Sequence, residues 1–234
     1  MSAEDAPAED VLQIPAKKYQ QQQRRAKRNL RHAHAHGVMQ GILSLLRPGD
    51  VVLDCGANVG DVCQPLAETG ATVHAFEPDP FAYGKLEKRV ADMPNVILHN
   101  AAVGTSSGTI QLMRAANFAE NPKGASVKST IVKGGRNIDE QDGAMIDVPL
   151  LSLPDLIGDL VKKHGRIALL KMDIEGAELD VLEHMLAENL FENIDLTVAE
   201  THERKFRELR PRFAALRESV TAQYPITKVN LDWI

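Results

Sequence analysis

The sequence predicts an α/β fold: a doubly wound, mostly parallel sheet behind an N-terminal helical extension. Three observations carry this. Val51-Val52-Leu53-Asp54-Cys55 is the apolar, β-branched run that a fully buried parallel strand needs, and Gly56-Ala57-Asn58-Val59-Gly60 follows it directly, opening into a helical pattern. Further apolar runs of strand length, at residues 72–76, 95–98, 167–172 and 195–199, alternate with helical patterns, which gives right-handed crossovers between parallel strands. Finally, 234 residues with 44% hydrophobic content suffice for one such domain with its own core.

Taken in order, residues 1–15 are rich in Ala, Glu and Asp and poor in apolar side chains, and read as a disordered tail. Residues 16–47 form a basic helical extension. Lys17, Lys18, Arg24, Arg25, Lys27, Arg28 and Arg31 occur there with no acid, beside Gln20, Gln21, Gln22 and Gln23. The preferred reading is a solvated helix packed loosely on the domain or on a second subunit; the alternative is an arm for RNA, anionic lipid or an acidic partner. His32, His34 and His36 alternate, so a helix would spread them over different faces and they make no metal site. Residues 38–46 are a short amphipathic helix stopped by Pro48-Gly49. The remainder, 48–234, is the main domain.

Within it, Asp79 caps a helix that has Pro80 in its first turn and Leu86 and Val90 inside. Residues 109–113 read as an antiparallel strand. Residues 114–144 lack periodicity, and a loop of that length in a compact domain reads as a substrate lid. Its Lys123, Lys128, Lys133 and Arg136 would suit an anionic or sugar-phosphate acceptor. A short strand at 145–150 and a helix opened by Ser152-Leu153-Pro154 come next. The strand 167–172 ends at Asp173, and a well-patterned helix covers 178–190. The strand 195–199 ends at Glu200-Thr201-His202. A helix from 203 onward should be kinked or split by Pro211, and 226–234 read as a last strand. That tail is short for closing the sheet, and dimerisation would cover the exposed edge.

Net charge is -5, so the whole chain is no polyanion binder and nucleic acid is not expected as a partner. No apolar run of about eighteen residues occurs, so no membrane span is expected. The polar N-terminus has no apolar signal core. Cys55 and Cys63, the two cysteines, flank the glycine loop rather than stapling distant segments, which fits two small core residues in a reducing, cytoplasmic compartment.

The site is written in the loop after the first strand. Gly56 and Gly60 let backbone approach a ligand, and Asn58 stands where left-handed geometry is needed. The following helix offers N–H groups to a carboxylate or phosphate. Glu77 ends the second strand seventeen residues past Gly60, where an acid can accept hydrogen bonds from ribose hydroxyls. Together these describe a nucleoside pocket. The spacing Asp54-x-Gly56-x-Asn58-x-Gly60 lacks the third glycine of the dinucleotide fingerprint and is similar to the first motif of the S-adenosylmethionine (SAM) methyltransferases. With Glu77-Pro78 and Leu169-Leu170-Lys171-Met172-Asp173-Ile174-Glu175-Gly176-Ala177-Glu178, the chain resembles the FkbM-type methyltransferase family over roughly residues 48–202.

The resemblance implies a Rossmann-like class I methyltransferase fold, SAM as cofactor, and O-methylation of a hydroxyl on a small molecule or glycan. The cofactor set would be Asp54, Gly56, Ala57, Asn58, Gly60, Glu77, Pro78, Asn100 and Ala101. In it Asp54 orders the loop, and Asn100 meets the adenine amino edge. A sugar-like hydroxyl has a high pKa and needs a base; His202 is the first candidate and Asp173 the second. Asp173, Glu175, Glu200 and His202 could also be read as an oxygen-rich cation site, but no metal is assigned. The rival readings are a nicotinamide-dependent oxidoreductase, against which the missing glycine and Asp173-x-Glu175-Gly176 stand, and a non-catalytic RNA-binding module using the basic arm.

Overall fold

The computed structural model describes residues 16–118, 120, 126, 129–135, 138 and 145–233. The 1–15 tail, expected to be disordered, lies outside the described residues, as do Lys123, Lys128 and Arg136.

Six parallel strands form the main sheet: β1 (Val51–Cys55), β2 (Thr72–Phe76), β3 (Val96–His99), β7 (Ile167–Met172), β8 (Ile194–Ala199) and β9 (Val229–Asn230), in the order β3-β2-β1-β7-β8-β9. The chain runs outward from β1 to β3, then returns to the other side of β1 and runs outward again. The order therefore reverses between β1 and β7. In such a sheet that switch point opens a crevice beyond the carboxyl ends of the two strands.

The strands alternate as a doubly covered sheet requires. Val51, Leu53 and Cys55 of β1 face a core built with α4 (Leu153–His164), α5 (Glu178–Ala187) and α6 (Arg210–Gln223). Val52 faces the opposite core, built with α1 (Ala16–Leu45), α2 (Cys63–Glu68), α3 (Pro80–Arg89) and Trp233. Cys55 and Cys63 are buried and free.

A second sheet, β4-β6-β5, stands apart: β4 (Ala102–Gly104) runs parallel to β6 (Met145–Ser152), and β5 (Gly108–Met113) antiparallel to it. β4 has no signal in the sequence; three residues are too few for a period.

Four expectations change. The basic stretch and residues 38–46 are one continuous helix, α1, because Gly37 and Gly41 stay in helical register. Helix 178–190 stops at Ala187: Asn189 turns left-handed (φ 54°), and a single 3-10 turn, Leu190–Asn193, follows. Pro211 does not kink a helix but sits in the first turn of α6, where its missing N–H costs nothing. The last strand shrinks to Val229–Asn230. Among the described residues no helix is long and apolar enough to cross a membrane.

Candidate active site

Gly56 closes β1 with φ 81°, and a Cβ there would collide with the Asp173 carbonyl at the end of β7. Glycine thus serves both the turn and the close approach of the two strand ends. Asn58 is also left-handed (φ 48°), and its Oδ1 accepts from Val59 N at 2.7 Å. The loop amides are spent inside the protein. Gly56 N and Ala57 N donate to the Phe76 carbonyl, Gly60 N to that of Ala57, and Asn58 N to Glu77 Oε2 at 2.9 Å. α2 begins only at Cys63, so the expected helix N-terminus is not at the loop. Gly60 (φ 88°) packs against Leu86 and Arg89 of α3 instead.

Asp54 lies behind the loop, fully buried, with Lys171 Nζ 3.1 Å away. Lys171 also donates to the Gly56 carbonyl at 2.7 Å. Burial opposes the charge on Lys171, yet Asp54 and Asp173 hold its pKa above the ordinary lysine value. This pair fixes the glycine turn from beneath.

Glu77 is 6% exposed. Its Oε1 accepts from Asp79 N at 2.8 Å, complementing the Asn58 bond on Oε2. Burial still pushes its pKa up to about 7. Each oxygen keeps a lone pair for a ligand hydroxyl. Asn100 is not among the residues that line the cavity. Its amide nitrogen donates to the Glu77 and Pro78 carbonyls at 2.8 and 3.2 Å, and Ala101 forms the wall there. Asp79 caps α3 through Phe81 N and is gripped by Arg114 at 3.0 and 3.1 Å and by Ser129 at 3.3 Å.

Across the crevice, Glu175 (φ 59°) and Gly176 (φ 117°) make a left-handed turn after β7. Glu178, fully buried at the start of α5, folds back to accept from Ile174 N (2.7 Å) and Gly176 N (2.8 Å). His202 Nδ1 meets the same carboxylate at 3.1 Å, while Nε2 lies 3.5 Å from Glu175 and 3.8 Å from Asp173. Burial works against an imidazolium, but the Glu178 bond and the charges of Glu178, Glu175 and Asp173 outweigh it, raising the His202 pKa to about 10. A raised pKa favours the protonated ring, which weakens His202 as a base. Glu200, at the end of β8, has its pKa raised to about 7 by burial and then by Asp173. Asp173, Glu178 and His202 bring ligand atoms within 4.8 Å of one another. Glu178 Oε1 already meets Ile174 N and His202 Nδ1, while Oε2 accepts only from Gly176 N.

A cavity of about 580 Å³ joins the two halves. Gly56, Asn58, Glu77, Pro78 and Ala101 line one end, and Asp173, Glu175 and Glu200 the other. Asp54, Ala57, Gly60 and Asn100 stand behind the wall. The expected lid contributes Ser126, Ser129, Thr130 and Ile131, and Thr130 Oγ1 bonds the Glu175 carbonyl at 2.7 Å. The volume and the mixed polar and apolar lining fit a nucleoside-sized ligand with a smaller one beside it. Sequence reasoning missed Arg114 and Thr130, whose partners are remote in sequence.

Comparison with known proteins adds chemistry to this geometry. The profile described as the methyltransferase FkbM domain matches residues 54–223. Methyltransferase sdnD of Sordaria araneosa is 30% identical over 78% of this chain and 76% of its own length. The 31-O-demethyl-FK506 methyltransferase FkbM of Streptomyces tacrolimicus is 31% identical over 58% of this chain and 60% of its own. The hexuronic acid methyltransferase AglP of Haloferax volcanii is 26% identical over 70% of this chain and 61% of its own.

Proposed function

The chain belongs to the FkbM methyltransferase family and is a SAM-dependent methyltransferase, and we propose that it O-methylates a hydroxyl of a small molecule or glycan held against Asp173 and Glu200. The observation that carries this reading is a cavity with the buried carboxylate of Glu77 at one end and the carboxylates of Asp173, Glu175 and Glu200 at the other. The residues present fit the cofactor: a cradle of left-handed Gly56 and Asn58, and the Glu77 carboxylate lining the same end of the cavity.

When bound, SAM supplies a methyl group already activated on a positive sulfur. What the protein must add is alignment, which can lower the barrier by several kcal/mol. Glu77, fixed by two backbone amides, holds the nucleoside end. Asp54 and Lys171 set the loop without touching ligand. Asp173, from the Gly56 side of the switch point, orients the acceptor hydroxyl, and Glu200 stands beside it to take the proton. His202 balances the surrounding carboxylates. The relatives named for 31-O-demethyl-FK506 and for hexuronic acid support a hydroxyl as the nucleophile. Two buried, free thiols fit a reducing, cytoplasmic compartment.

The deciding experiment is calorimetric titration with S-adenosylhomocysteine, with NADH as control, on wild type and Glu77→Ala. Affinity for the former that drops at least tenfold in the variant is expected. Preference for NADH would overturn the reading in favour of an oxidoreductase.

A further inference from the structure

The cavity makes no use of the N-terminal half of α1. Every residue from Lys18 to His34 is exposed, and the helix reaches the core only further on, through Met39, Ile42 and Leu46. Residues 11–49 contain no acid, although the chain as a whole carries -5. Lys18, Arg24, Arg25, Lys27, Arg28 and Arg31 have no carboxylate partner among the described residues. At about 100° per residue, Arg24, Arg25, Arg28 and Arg31 fall within an arc of about 120°. That arc continues the face of Met39, Ile42 and Leu46, so a ligand on it would run along the flank of the domain.

The chemistry of the arm selects among polyanions. A lipid surface would need a broad apolar face, but the side opposite the arginines holds only Tyr19 and Leu30 as bulky groups, separated by Ala26 and followed by Ala33. The remaining side chains are Gln20, Gln21, Gln22, Gln23, Asn29 and the three histidines, which both donate and accept. Such groups pair with sugar hydroxyls and unpaired base edges. Guanidinium planes offer stacking faces to bases, a contact that a uronate polymer cannot return.

We propose that the exposed half of α1 is a docking surface for single-stranded RNA, with Arg24, Arg25, Arg28 and Arg31 on phosphates and the amide and imidazole side chains on bases and 2′-hydroxyls. The inference is independent of the acceptor assigned above.

The test is fluorescence anisotropy of a short, unstructured, labelled RNA with the full chain, between 50 and 200 mM KCl. Four phosphate contacts on a single strand predict a loss of about 50-fold in affinity over that range. The variant R24E/R25E/R28E/R31E, whose changed residues are all exposed, should lose at least tenfold while binding S-adenosylhomocysteine as wild type does. No RNA binding, or equal binding by the variant, would overturn the proposal. So would duplex DNA, polygalacturonate or phosphatidylglycerol vesicles binding as tightly as the RNA. Self-association abolished by the variant, without RNA binding, would assign the arm to a second copy instead.

Discussion

Glu77 loses its charge near pH 7 because burial makes the carboxylate costly there. A neutral carboxyl is a poorer acceptor for ribose hydroxyls. Affinity for S-adenosylhomocysteine should therefore level off above pH 8 and weaken below pH 7, by up to about tenfold per unit. Calorimetry at pH 6, 7 and 8 checks this; Glu77→Gln should bind weakly with a flat profile. The position of Glu77 was legible, since an acid ending the second strand follows from strand and loop lengths. Its titration was not, because it depends on what covers it. The same holds for Glu178. Its sequence context supports a helix-start acid, but its partners are Ile174, Gly176 and His202, and only the fold brings the last of these to it. The candidate base His202 is a like case: the carboxylates that raise its pKa, Glu178, Glu175 and Asp173, are brought to it only by the fold.

Elements show a similar division. Buried strands such as β1 and β7 were legible from continuous apolar runs, and α3 from Asp79-Pro80. The second sheet was half legible: β5 and β6 have length and pattern, while β4 exists only because β6 offers it a partner. Gly37 and Gly41 hid the continuity of α1, at a cost of about 1 kcal/mol each relative to alanine. The β2–β3 pairing carries a further consequence. His74 Nδ1 lies 3.3 Å from His99 Nε2, and His99 stacks on Phe76. Burial, and then His99, lower the His74 pKa to about 4. Unfolded, the same ring takes its proton near pH 6.5. This pair thus contributes stability in full above pH 6.5 and loses it as the pH falls toward 4, by up to about 3 kcal/mol. Urea unfolding at pH 7 and pH 4.5 should show that loss in wild type and a smaller one in His74→Gln.

At the scale of the molecule, two cores share one sheet, and residues far apart in sequence complete the same layer. Trp233, 3% exposed, packs in the core that receives Met39 and Ile42. Trp233→Ala should cost about 3–5 kcal/mol in urea unfolding. Replacing Tyr19 and Leu30 by alanine should leave the melting temperature unchanged within about 2 °C, since both are exposed. The sheet is finished unequally at its two margins. β9 shields β8, whereas among the described residues nothing pairs with the outer side of β3, a strand carrying no carboxylate, lysine or arginine and leaving Ile97 41% exposed. His99 adds no charge at neutral pH, because burial lowers its pKa. Such a margin lacks the repulsive side chains by which strands avoid templating their own kind. Ile97→Lys should raise the concentration at which light scattering sets in.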